Sequence, residues 1–178
     1  MGDVYVGLDP SLTGFGVAAV GADVDQTWLL KPKKTGVDRL VEIMFMLGDI
    51  FVDLQTSGSP IIDVAMEDTV RASYASTVLG ELAAVVKLTC HSTLYGQARY
   101  PLKVPPSTLK KYATGRGNAK KVEVVLAVYK HWGKEIRDDN EADAYALARI
   151  AQGYGGTQYQ RDVVDKLRGG GFRDVHEL

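Results

Sequence analysis

The apolar positions of the chain switch between two periods, and the switches divide it into elements. A short run, Val4-Tyr5-Val6-Gly7-Leu8-Asp9, stops at Pro10, which has no N–H to give a strand ladder. Gly14 and Gly16 let a second apolar run, Phe15 to Val20, turn back beside it. A third run holds Trp28, Leu29 and Leu30. Strands are predicted over 3–9, 14–21 and 26–31, joined as an antiparallel meander. From Val37 to Leu54 the period becomes helical. Val37, Leu40, Val41, Met44, Leu47, Phe51 and Leu54 form one stripe, and Asp38, Glu42, Asp49 and Asp53 take another face.

Ser57-Gly58-Ser59-Pro60 ends that helix. Ile61 to Met66 is a fourth strand, apolar enough to lie inside a sheet, and it ends in Glu67-Asp68. Ser73 to Thr89 reads as a second helix, and Pro101 to Pro105 as a short fifth strand. Pro106 then opens a short helix that carries Lys110 and Lys111. After the glycine loop Thr114 to Asn118, a helix is predicted over Ala119–Trp132, with Val122, Val125, Leu126 and Tyr129 as its apolar side. Asp138-Asp139-Asn140-Glu141 opens the last core helix, where acids suit the first turn. Glycines bracket Thr157 to Arg168, which reads as a short helix, and 153–178 is expected to be a glycine-rich tail outside the core. The folded body would then be residues 1–152.

Composition narrows the class. A chain of 178 residues makes one ordinary domain, and at this size about 70% of the unfolded surface is buried. Apolar content of 46% and charged content of 24% are those of a soluble globular protein. Cys90 is the one cysteine, which excludes an internal disulfide and predicts a reducing, cytoplasmic home. No apolar stretch approaches the ~20 residues of a membrane span. The N-terminus lacks the pattern of a signal peptide, and Val6 stands where a myristoylation site wants Ser or Thr. His91, His131 and His176 have no clustered partners at metal spacing. The net charge of −1 is uninformative, but its distribution is not. From Arg99 to Lys121 there are seven basic residues and no acid, which marks a site for an anion.

Two apolar strands each deliver a carboxylate at the C-terminal end, Asp9 and Glu67. A third carboxylate, Asp143, sits among Ala142, Ala144, Ala146 and Ala148, small residues that let a helix approach a sheet. A buried charge must be paired or bound to a metal, and three carboxylates in contact do not all stay ionised unaided. A hard divalent cation, Mg²⁺ or Mn²⁺, is the natural counter-charge. Two such ions about 4 Å apart clamp the attacking and leaving oxygens of a phosphoryl transfer. With the basic block alongside, the substrate expected is a nucleic-acid backbone, and a lysine near the scissile phosphate would stabilise the growing charge. Asn140 and Asp139 lie on the same helical face as Asp143.

These stretches resemble the RuvC family of Holliday-junction resolvases, within the ribonuclease-H-like superfamily. Gly7-Leu-Asp9-Pro-Ser-Leu-Thr-Gly-Phe-Gly16 resembles the first-strand motif, and Ala65-Met-Glu67-Asp68 the strand-four motif. Leu109 to Lys121 resembles the DNA-contacting segment, and Glu141-Ala-Asp143-Ala-Tyr-Ala-Leu-Ala148 the C-terminal helix motif. The four occur in family order over about residues 1–152. The resemblance implies an α/β fold with a mixed five-stranded sheet, three antiparallel strands and then parallel strands, flanked by helices. It implies Asp9, Glu67 and Asp143 as catalytic metal ligands, with Lys121 catalytic. Lys110, Lys111, Arg116, Lys120 and Lys121 would contact DNA. It further implies a homodimer that resolves four-way DNA by paired nicks, in a bacterial cell or a phage-infected host. Its short, divergent form is similar to that of a phage resolvase.

The chain departs from the family pattern at three places, one of them the tail after Gly153, which has no counterpart in that pattern. Where the family has Asp or His three residues before its last aspartate, this chain has Asn140, with Asp139 one residue earlier; either is a candidate for the fourth metal contact. The base-stacking aromatic that follows the catalytic glutamate is represented by Val70, with Tyr74 nearby. A broader branched-DNA or flap nuclease shares the same metal site, and a non-catalytic junction-binding module would lack one of the three carboxylates. An actin-like kinase also carries an Asp-then-Gly turn but needs a longer chain.

Overall fold

The computed structural model describes residues 2–68 and 75–169. At the centre lies β1 (Val4–Asp9), paired antiparallel with β2 (Phe15–Gly21), which pairs antiparallel with β3 (Asp25–Leu30). On its other edge β1 pairs parallel with β4 (Ile61–Glu67), and β4 pairs parallel with the short β5 (Leu102–Val104). The order β3-β2-β1-β4-β5 is the mixed five-stranded sheet expected. The helices are α1 (Gly36–Thr56), α2 (Ala75–Thr93), α3 (Pro106–Thr114), α4 (Lys121–Trp132), α5 (Asp139–Gln152) and α6 (Gln158–Gly169). None of the described helices is long and apolar enough to cross a membrane.

Alternation along β1 sends its side chains to opposite faces. Val4, Val6 and Leu8 pack with Ile43, Leu47 and Phe51 of α1 and Leu82 and Val86 of α2. The other face receives α5. A Cβ on Gly7 would lie 1.9 Å from the Ala144 carbonyl oxygen, and one on Gly16 would lie 2.1 Å from that of Asn140. Only glycine at these two positions lets the α5 backbone touch the sheet. Asp9 is two residues beyond Gly7 and so shares its face, and Asp143 precedes Ala144. The close seating of α5 thus brings the two carboxylates to one side of the sheet.

Three expectations about which residues are buried are corrected. Helix α1 seats on the sheet through Ile43, Leu47, Ile50, Phe51 and Leu54. Val37 is 74% exposed, and Val41 and Met44 face outward with it. Helix α4 buries Val124 and Val128, whereas Val122, Leu126 and Tyr129 are exposed. That helix carries apolar residues around most of its circumference, so its period does not choose a face; packing on α5 does. Lastly, α6 lies inside the region expected to be a tail outside the core. Its Val163, Val164 and Leu167 are buried with Leu109 and Tyr112 of α3 and Ile150 and Ala151 of α5. The Tyr112 hydroxyl donates to the Tyr154 carbonyl at 2.8 Å. The folded body therefore runs to Gly169. A stripe of three apolar residues among polar ones is a short signal, and the flanking glycines outweighed it.

Candidate active site

Parallel pairing sets the first part of the site. Leu8 of β1 is in register with Met66 of β4, so the next residues, Asp9 and Glu67, end neighbouring strands at one level. Asp9 is 6% exposed and Asp143 is 8% exposed. Burial pushes the Asp9 carboxyl up to about 9, reinforced by a hydrogen bond with Glu67 and by the charges of Glu67 and Asp143. Asp143 is pushed up to about 7 by burial and then by the charge of Glu67. A hydrogen bond between two carboxyl groups needs a proton between them. Asp9, whose value is raised, carries that proton.

The helix termini supply the surroundings. Asp138 caps α5, its carboxylate accepting from the backbone N–H of Asn140 at 2.9 Å and of Glu141 at 3.4 Å. Glu141 accepts from the Thr27 hydroxyl of β3 at 2.5 Å. Lys121, the first residue of α4, donates to the carboxylate of Asp139, the first residue of α5. Lys121 also acts on the main cluster, its charge lowering both Asp9 and Asp143. Lys110 of α3 adds a smaller effect of the same sign on Asp143. Asn140 faces the turn between β1 and β2, where a Cβ on Gly14 would lie 3.2 Å from its side-chain nitrogen.

Asp9 is thus within electrostatic reach of Glu67, Asp143 and Lys121, and Asp143 of Glu67, Lys121 and Lys110. The rest of the basic block stands further out. Arg116 pairs with Glu123, which also accepts from the Lys120 backbone N–H at 2.6 Å, and this fixes the loop ahead of α4. Lys111 lies exposed in the last turn of α3. Val70 and Tyr74 lie outside the described residues. Glu123 and the Thr27–Glu141 bond were missed in the sequence. An acid three residues after the start of a helix is a legible capping signal for Glu123, but no local pattern links Thr27 to Glu141.

The donor set suits a hard cation, because all of its strongest groups are carboxyl oxygens. Among the described residues, no three His, Cys, Asp or Glu side chains stand as a ready-made cage. A divalent ion held there would have to displace the proton on Asp9.

A mixed sheet in this order, with carboxyls at the ends of β1 and β4 and a third on the helix that crosses them, defines a ribonuclease-H-like domain. No protein-family model matches the chain. A curated relative does match. The crossover junction endodeoxyribonuclease RuvC of Chlamydia muridarum (strain MoPn / Nigg) is 30% identical over 158 residues, which cover 83% of this chain and 90% of that protein. The chain belongs to the RuvC family. Among solved structures, T. thermophilus RuvC in complex with a Holliday junction substrate superposes with a TM-score of 0.67 at 20% identity, over 96% of this chain and 97% of that one. A second Thermus thermophilus RuvC structure gives a TM-score of 0.64 at 22% identity, over 94% of this chain and 96% of the other. At those identities the two structures support the fold.

Proposed function

We propose that the protein is a metal-dependent endonuclease that resolves four-way DNA junctions by paired, symmetric nicks. The observation that carries this is the Asp9–Glu67 carboxyl pair at two parallel strand ends, with Asp9 buried and a second buried carboxyl, Asp143, brought in by α5, in a chain of the RuvC family. Asp9, Glu67 and Asp143 would hold Mg²⁺ or Mn²⁺, two ions per site, with Asn140 or Asp139 adding an oxygen. Bound there, the ions would activate the attacking water and neutralise charge on the scissile phosphate. Water adds to phosphorus and the P–O3′ bond breaks, leaving a 5′-phosphate and a 3′-hydroxyl that a ligase can seal.

The side chains of the protein do the rest. Lys121 and Lys110 bring positive charge to the carboxylate side of the site, where the phosphate charge grows. Lys111, Arg116 and Lys120 extend the basic surface along the DNA backbone. The bacterial cytoplasm, including that of a phage-infected host, is where such a substrate forms.

Cleavage is expected of a four-way junction at least tenfold faster than of linear duplex or a Y-fork. It should be lost on adding EDTA and restored by Mg²⁺ or Mn²⁺. A gel assay with the three substrates checks this. Equal cutting of linear duplex would reduce the reading to a general nuclease, and binding without cutting in Mg²⁺ would leave a junction-binding module.

Paired nicks need two sites, and α1 offers a surface for a second copy. Besides the stripe on the sheet it carries an outward stripe of Val37, Val41, Met44, Phe45 and Val52. Replacing Phe45, which is 62% exposed, with Glu is expected to convert a dimer to a monomer with little change in thermal stability. Light scattering with size exclusion measures it, and an unchanged dimer would place the contact elsewhere.

A further inference from the structure

Building on the nuclease reading above, we infer that Asp139 is a positioning residue that holds the Lys121 ammonium against the carboxyl cluster, and that it is not the fourth metal contact. The two residues open neighbouring helices, α4 and α5, which pack on each other. Their ion pair joins the two N-termini across a gap in sequence of 18 positions. Asp139 is held in place independently of Lys121, because the first turn of α5 is fixed by the Asp138 cap and by the Glu141 bond to Thr27. Lys121, by contrast, ends in an ammonium on a flexible four-carbon stem. The rigid partner therefore restrains the mobile one.

The restraint points toward the chemistry. The charges of Asp143 and Asp9 act on Lys121 as well as that of Asp139. The Asp139 carboxylate lies on the outer side of this arrangement, 37% exposed at its side chain, whereas Asp9 and Asp143 are buried. Asn140 occupies the inner position. Its backbone carbonyl is the atom that a Cβ on Gly16 would strike, and Gly16 is paired with Asp9 across β1 and β2. Of the two residues that the sequence left as alternatives, Asn140 is beside the strand that ends in Asp9, and Asp139 is committed to the lysine.

An ion pair this exposed is weak, so its contribution is orientation and not fold stability. A lysine already oriented when the phosphate arrives loses less freedom on reaching the transition state. The effect should therefore appear in turnover and not in binding.

A double-mutant cycle on the full chain tests this. Asp139→Asn, Lys121→Ala, the double variant and Asp139→Glu are compared for kcat and KM on a four-way junction. In parallel, Mg²⁺ is titrated into the DNA-free proteins while thermal unfolding is followed. Asp139→Asn is expected to lower kcat about fivefold with KM unchanged. It should have no further effect in the Lys121→Ala background, it should leave the Mg²⁺ midpoint where it is, and Asp139→Glu should restore turnover. A tenfold shift in the Mg²⁺ midpoint, or an equal loss of kcat with and without Lys121, would make Asp139 a metal contact and overturn the inference. An unchanged kcat would overturn it too, showing the pair to be idle. If the wild type cuts no junction at all, the nuclease reading falls, while the Mg²⁺ midpoints of wild type and Asp139→Asn still decide whether Asp139 holds the ion.

Discussion

Asp9→Asn, Glu67→Gln and Asp143→Asn should each reduce junction cleavage in Mg²⁺ on the order of 10³-fold while leaving junction binding within a few-fold of wild type. Each replacement keeps the size of the side chain and removes its negative charge, so the packing of α5 against Gly7 and Gly16 is undisturbed. What is lost is a carboxylate oxygen from the group of three and with it, on the proposed reading, the means of holding a divalent ion at the strand ends. The loss should be non-additive. A double variant should cut no more slowly than the worse single one, because the carboxyls act as one unit. Binding should survive, since on the proposed reading it would rest on the basic block, and its salt dependence should stay the same. Gel-shift and single-turnover cleavage on one junction measure both quantities. If any one variant cuts at more than a tenth of the wild-type rate, its residue is outside the metal site.

How much of this could be read from the sequence depends on the range of each interaction. The strands β1 and β4 were legible because they are unbroken apolar runs with a hard stop, Pro10 in one case and Glu67-Asp68 in the other. Their terminal carboxylates were legible for the same reason, since a charge at the end of a buried strand is out of pattern. Asp143 stood out among alanines, and the glycines at 7 and 16 explain why small residues were needed there. The faces of α1 and α4 were not legible. Both helices carry apolar residues on more than one side, and the choice among them is made by what packs against the helix. The pairing of Lys121 with Asp139 was hidden differently. Read along the chain, residues 99–121 hold no acid, so the block appeared as unopposed positive charge. In the fold, Glu123 and Asp139 reach Arg116 and Lys121 from the flanking segments. Periodicity reports neighbours on one element, and these contacts lie between elements.

The same burial that makes the site reactive should make the DNA-free protein less stable as pH rises. An unfolded Asp titrates near 3.8, whereas in the fold Asp9 titrates at about 9 and Asp143 at about 7. Between these limits the folded state binds more protons than the unfolded state, so unfolding releases protons and stability falls with rising pH. The sign is opposite to that of a salt-bridged Asp, whose stabilisation is lost on acidification. The stabilisation is fully present below pH 3.8, is eroded by Asp143 up to about 7 and goes on falling with Asp9 up to about 9. In EDTA, the melting temperature of the wild type should therefore decline from pH 5 to pH 9. At pH 8 the Asp9→Asn variant, which need not take up a proton in order to fold, should be the more stable protein by about 2 kcal/mol, or roughly 5 °C for a chain of this size. Mg²⁺ should reverse the order. If, as proposed, it binds the folded wild type and supplies the missing counter-charge, it should raise that melting temperature and leave the variant almost unmoved. Differential scanning calorimetry at pH 5, 7 and 9, with and without Mg²⁺, reads all of this. A wild-type melting temperature that is flat across the range, or an Asp9→Asn variant that is less stable in EDTA, would mean that the carboxyl pair is not a strained group awaiting a cation. On the proposed reading the site would be built at a cost in stability that a bound divalent ion, and not the surrounding protein, would offset.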